Sequence, residues 1–264
     1  MYDNICKFLA ENYKDDLVTW LLGSPIPLTK LSPTELSNEP IRADSLILLQ
    51  SNQLILHSEF QTDPDKYIPF RMTDYRIRGY RKFPDKEMRQ IVVYLRKTDS
   101  ELVYQNSFRL SKTYHEFEVI RLWEQPTEKF MNLPGLLPFA VLSQTKEPTM
   151  VLNEVAKAVE TITDQRLQRN IAAASSILAG LVLDKEVIRK IFRSEIMRES
   201  VIYQEILEEG KAEGKAEGKT EGKAEKARNV AINLLKIGMS LEQIAQVTEL
   251  SIQQVEEIQT SIQG

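Results

Sequence analysis

The chain predicts a mixed α/β domain with a central sheet flanked by helices, followed by an all-helical extension, on three observations. Apolar runs of strand length fall in the first 145 residues: RADSLILLQSNQLILHSEFQ (42–61), RQIVVYLR (89–96) and HEFEVIRLWE (115–124). Segments with apolar residues at three- and four-residue spacing stand before and between them. From Thr149 onward only the helical spacing recurs. The expected organisation is a mixed domain over 1–145, a helical region over 146–209, a spacer over 210–225 and a small helical tail over 226–264.

In chain order, Ile5, Phe8, Leu9 and Tyr13 define a first helix, and LVTWLLG a second, with Asp15 and Asp16 as its cap and Gly23 and Pro25 as its stop. Residues 24–40 are rich in Pro and Ser and read as an extended connection. Leu46–Leu49 and Leu54–Leu56 then read as the two arms of a hairpin. Asp63-Pro64-Asp65 breaks the second arm, and a helix follows over Tyr67–Lys82. The run 89–96 suits a buried central strand and 115–124 a more exposed one, with a polar hairpin or loop over 97–113. Trp123 and MNLPGLLPFAVLSQ close the core.

The hairpin register decides what chemistry is available. With Ser51-Asn52 as a two-residue turn, Asp44 stands opposite Glu59, and Asp44, Glu59 and Gln61 share a face with His57. A three-residue turn sends Glu59 to the other face, because one step of slip exchanges faces. Two carboxylates and an amide at the open end of a hairpin suit a hard divalent cation, Mg²⁺ or Mn²⁺. Acids at strand ends are also common on plain solvated surfaces, and pattern alone leaves that alternative open.

Composition narrows the classes. A chain of 264 residues with 42% hydrophobic content can bury one good core and carry an appendage. Its net charge of −4 provides no global electrostatic footprint for nucleic acid, so DNA contact would fall to a local basic patch. The densest is the 67–82 helix, with Arg71, Arg76, Arg78, Arg81 and Lys82. One cysteine excludes an internal disulfide and a multi-cysteine zinc site. The absence of a membrane-length apolar run or a signal-peptide pattern sets a cytoplasmic expectation.

These residues also carry a family resemblance. RADSLILL followed by LILHSEFQT is similar to the core of PD-(D/E)XK nucleases, an acid on one strand and E-x-K or E-x-Q on the next. With FRMTDYRIRGYR directly after and the GKAE-repeat tail, the chain resembles the Rpn-type recombination-promoting nucleases of bacteria, a transposase-related group, in particular its cyanobacterial branch. The resemblance covers about residues 1–145. It implies a Mg²⁺- or Mn²⁺-dependent DNA endonuclease linked to recombination or transposition, with Asp44 and Glu59 as metal-holding catalytic acids and Gln61 in the place usually held by Lys. Ala43 stands where the family has Pro. Glu11 or Asp3 could add an acid from the first helix. Arg71 and Arg78 would contact nucleic acid, Arg71 being the candidate for phosphate because a planar fork suits phosphate oxygens. A surface basic helix with no ligand is the alternative. DNA is the implied partner and a homodimer a further one; no small-molecule cofactor is implied. The competing function is a catalytically inactive module, derived from a mobile element, that binds nucleic acid or protein.

Three amphipathic stretches follow Thr149: VLNEVAKAVETI, RLQRNIAAASSILAGLVL and VIRKIFRSEIMRESVIYQEIL. The GKAE repeat places like charges at i,i+4 and a glycine every fourth residue, each costing about 1 kcal/mol in a helix, so it reads as a spacer. In the tail, Ser240 with Gln243 and Ser251 with Gln254 are capping-box pairs bounding a helix-turn-helix-like arrangement. Its last helix offers Gln and Glu and no basic residue, which favours a structural or protein-binding role.

Overall fold

A computed structural model describes residues 2–31, 46–192, 200, 226–227, 229–235, 239–248 and 250–263. By internal contacts the chain divides into two compact units, Met1–Gln204 and Glu205–Gly264.

The first unit is mixed α/β. Helices α1 (Tyr2–Asn12) and α2 (Lys14–Leu22) precede a five-stranded sheet of order β1-β2-β3-β4-β7. Its strands are β1 (Thr29–Lys30), β2 (Leu46–Gln50), β3 (Leu54–Gln61), β4 (Glu87–Tyr94) and β7 (Glu118–Arg121). The first three run antiparallel in sequence. A 15-residue helix α3 (Ile68–Lys82) then crosses over to β4, which lies parallel to β3, and β7 is parallel to β4. A parallel neighbour demands such a crossover, whereas the antiparallel pairs need only turns.

Local chemistry accounts for the element ends. Gly23 takes the left-handed conformation, φ 74°, that stops α2. Asp15 and Asp16 lie in the first turn of α2 without capping it; Asp16 instead accepts from Gly135 N at 2.6 Å, tying α2 to the chain's later loop. Pro69 in the first turn of α3 suits a position whose N–H has no helical partner.

The expected strand over 115–124 is divided. β5 (Ser107–Leu110) and β6 (Thr113–Glu116) form a separate hairpin turned at Ser111, and Phe117 leaves it to bury its ring beside α3 before β7 joins the main sheet. The alternation over 115–121 therefore belongs to two strands in two sheets. The short helices α4 (Glu128–Met131) and α5 (Leu137–Ala140) follow.

The two faces of the sheet differ. On one, Phe60 stacks on Phe139 of α5 with ring centroids 5.7 Å apart, and Trp20 of α2 reaches Phe139 and Phe130. On the other, α3 packs Ile68 and Met72 against Val92 and Tyr94. Helices α6 (Pro148–Glu160), α7 (Gln165–Ala179) and α8 (Lys185–Ile191) cover the first two expected amphipathic stretches and the start of the third, whose remainder lies largely outside the described residues. α7 packs on α1 and α5.

In the second unit, helices α9 (Leu241–Thr248) and α10 (Ile252–Gln263) pack around Ala231, Ile244, Val255 and Ile258. Both capping boxes form reciprocally: Gln243 N donates to Ser240 Oγ and Ser240 N to Gln243 Oε1, and Gln254 N and Ser251 N repeat the pattern. The GKAE spacer lies outside the described residues.

Candidate functional site

Register places the site's side chains. In the β2–β3 hairpin Ser51 N donates to Leu54 O at 2.8 Å, so the turn is Asn52-Gln53 and Leu46 pairs with Glu59. This is two residues along from the register expected from a Ser51-Asn52 turn. An even slip preserves faces, so His57, Glu59 and Gln61 still project together. Opposite them on parallel β4 are Gln90, Val92 and Tyr94, in the pairs His57↔Gln90, Glu59↔Val92 and Gln61↔Tyr94. α3 lies over this face. Of the expected acids, Asp44 lies outside the described residues, as does the side chain of Asp3, and Glu11 pairs with Lys30 of β1 at 2.8 Å.

Glu59 is the centre of the arrangement. Its carboxylate is 2% exposed, and an isolated buried charge of this kind would be strongly destabilising. Donors surround it. Arg71 Nη2, one turn into α3, lies 2.9 Å from Oε2, and Gln61 Nε2 reaches the same oxygen at 3.4 Å. His57 Nε2 lies 3.5 Å from Oε1. Burial raises the carboxyl's pKa, but the His57 contact and the Arg71 guanidinium outweigh it, holding Glu59 below the ordinary carboxylate range. Glu59 is therefore ionised at neutral pH although it lies inside the protein.

Arg71 is shared. Its Nη1 lies 3.1 Å from Asp65 Oδ2, so one guanidinium bridges a buried acid and a partly open one. Asp65 also accepts from Tyr67 N at 2.8 Å, which fixes the start of α3 and with it the reach of Arg71. Two further arginines of the helix are engaged within the fold, Arg76 donating to Met88 O at 3.0 Å and Arg78 to Asp74 at 2.8 Å, while Arg81 is exposed in the last turn. The residues expected to touch nucleic acid, Arg71 and Arg78, thus sit on one helix, and Arg71 alone of the two is placed against Glu59.

Behind Glu59 runs a polar chain that sequence reading did not assemble. Gln90 Nε2 lies 2.9 Å from His57 Nδ1 and donates to Met72 O at 2.7 Å, and Gln90 Oε1 lies 2.7 Å from His115 Nε2. Burial, with Arg76 and His57 nearby, pushes His115 below its ordinary pKa. Tyr94 is pushed up to about 12 by burial and by the Asp65 and Glu59 charges, so its hydroxyl stays protonated. A signal for Gln90 was present: an amide inside the apolar run RQIVVYLR has to find partners wherever that strand is buried.

Among the described residues four buried polar atoms here have no hydrogen-bond partner: His57 Nε2, Glu59 Oε1, Arg71 Nε and the Tyr94 hydroxyl. An uncommitted carboxylate oxygen beside an amide is hard-donor chemistry of the kind Mg²⁺ or Mn²⁺ takes. A fixed anion flanked by a cation and hydrogen-bond donors can equally orient a polar or anionic ligand. Among the described residues no helix is long and apolar enough to cross a membrane. Compared with models of known families, with curated proteins and with solved structures, the chain matches none.

Proposed function

We propose that this chain is a metal-dependent DNA endonuclease with a PD-(D/E)XK-type core, acting in recombination or transposition as its resemblance to Rpn-type proteins implies. The observation that carries the reading is Glu59: a buried, ionised carboxylate on a central strand, with Gln61 on the same face and one oxygen without a hydrogen-bond partner among the described residues. Further support comes from the order of elements, helices before an antiparallel meander, then a helix and a parallel strand, with the acid on the strand that precedes the crossover helix.

In this reading Asp44 and Glu59 hold the ion, which would lower the pKa of bound water and offset phosphodiester charge. His57 and Arg71 keep Glu59 ionised and fixed in direction. Gln61 positions a water or a phosphate oxygen through its amide but brings no positive charge, unlike the Lys of the commoner motif. Arg71, whose side chain is a third open to solvent, provides the nearest cation for a phosphate.

A second reading, a non-catalytic binding module, draws on a specific observation: Arg71 neutralises Glu59 and Gln61 is uncharged. Plasmid nicking by the purified protein with Mg²⁺ or Mn²⁺, run beside Asp44→Ala, Glu59→Gln and an EDTA control, separates the two. Nuclease action predicts metal-dependent nicking that both variants abolish. Binding that is sensitive to salt, indifferent to Mg²⁺ and retained in Asp44→Ala, without nicking, would establish the second reading instead.

A further inference from the structure

The carbonyl of Met72 decides the protonation pattern of the polar chain behind Glu59. A carbonyl oxygen can only accept, so the Gln90 atom 2.7 Å from Met72 O is the amide nitrogen. That nitrogen's second N–H meets His57 Nδ1 at 2.9 Å, and the amide oxygen turns to His115 Nε2 at 2.7 Å. Reversing the amide would set two oxygens 2.7 Å apart in a buried site. Facing a donor, His57 Nδ1 carries its lone pair, and the ring proton resides on Nε2. Nε2 lies 3.5 Å from Glu59 Oε1, and neither atom has a hydrogen-bond partner among the described residues.

We propose that Gln90 is a positioning residue: it holds the His57 ring proton on Nε2, on the side of Glu59, and so withdraws the imidazole from the ligands open to a cation there. Without that constraint the pair would invite a softer ion. A nitrogen and an oxygen 3.5 Å apart can both lie within the roughly 2.0–2.2 Å bonds of one zinc ion. With the proton on Nε2 that arrangement is closed, and the donors left beside it among the described residues are oxygens, a set that suits Mg²⁺ or Mn²⁺ better than one with an imidazole nitrogen. One turn of α3 thus bears on Glu59 directly through Arg71 and sets the neighbouring His57 tautomer through Met72 O and Gln90. The ion-selectivity clause rests on the proposed function; the tautomer does not.

The test is the long-range ¹H–¹⁵N correlation spectrum of the histidine rings in full-length, metal-free protein at one neutral pH. The chain has two histidines, so His115→Ala assigns His57. The expected spectrum has His57 with a protonated Nε2 and an unprotonated Nδ1, retained in His115→Ala. In Gln90→Leu the Nδ1–H form should appear, and added Zn²⁺ should shift Nε2 in this variant but not in wild type. A wild-type His57 protonated at Nδ1, a Gln90→Leu spectrum identical to wild type, or Zn²⁺ on wild-type Nε2 would overturn the proposal. If Gln90→Leu does not fold, the wild-type spectrum with and without Zn²⁺ decides. Absence of plasmid cleavage alongside the expected spectrum would count against the nuclease alone.

Discussion

Arg71 holds Glu59 ionised at 2.9 Å, and the same guanidinium is a like charge to any cation arriving there. At the effective dielectric of a partly open site, a charge a few Å away is worth on the order of 1–3 kcal/mol. Arg71→Met is therefore expected to bind Mn²⁺ in the free protein about tenfold or more tightly than wild type, measured by electron paramagnetic resonance titration, while its affinity for DNA falls. Equal Mn²⁺ affinity would mean that Arg71 does not compete for Glu59. Asp16 is a second informative residue. Burial lifts its carboxyl above the ordinary range against the pull of the Gly135 N–H, so the ionised form is disfavoured in the folded state. A raised acid costs stability above its folded pKa, and the cost vanishes as pH falls and the folded state takes up the proton. Asp16→Asn, which keeps an acceptor for Gly135, should thus be more stable than wild type at neutral pH, and the gap in melting temperature should close as pH drops into the carboxylate range. A gap that widens on acidification would contradict this sign.

Elements were legible where one local period dominates. The α3 helix was readable from its apolar spacing, and α6 and α7 from theirs, because burial of one stripe enforces a 3.6-residue period. Hairpin β2–β3 was readable as two apolar arms, but its turn was not, since Ser51-Asn52 and Asn52-Gln53 are similarly polar and only the ladder chooses between them. The division of 115–124 was illegible for the same kind of reason: strand alternation records exposure, not which sheet supplies the partner. Close packing between elements makes a further prediction. A Cβ on Gly135 would run into the Cβ of Tyr13 and the carboxylate of Asp16, rigid neighbours on the α1–α2 corner. One on Gly79 would meet the Met88 Sδ at 2.8 Å, the flexible end of a side chain. Gly135→Ala should lose about 1–3 kcal/mol, whereas Gly79→Ala should stay within about 1 kcal/mol of wild type, its helix preference offsetting the contact. Urea unfolding of the two variants checks the contrast. Phe60→Ala, which opens the stacked pair with Phe139, should cost about 3–5 kcal/mol in the same experiment.

At the scale of the whole molecule, charge limits what DNA binding can look like. The chain carries a net −4, and three of the four arginines of α3 already serve Glu59, Asp65, Asp74 and the Met88 carbonyl, leaving Arg81 exposed. Few phosphates can be neutralised, so log affinity for duplex DNA against log salt should have a slope shallower than about −3, measured by fluorescence anisotropy. A slope near −8 would mean that many phosphates are neutralised and would contradict this expectation. By itself the sequence determined the mixed α/β class, the β2–β3 hairpin, the buried β4 strand and the longer helices, both tail capping boxes and the facing of His57, Glu59 and Gln61. Each depends on residue period or on contacts within a few positions, and a slip of two residues leaves a strand's faces unchanged. Only tertiary structure decided that Arg71 and Asp65 join Glu59, that Gln90 links His57 to His115, and that β6 and β7 enter different sheets. The side-chain contacts among these span 6 to 33 positions, and for most of them it is the folded backbone, not the local sequence, that selects the partner.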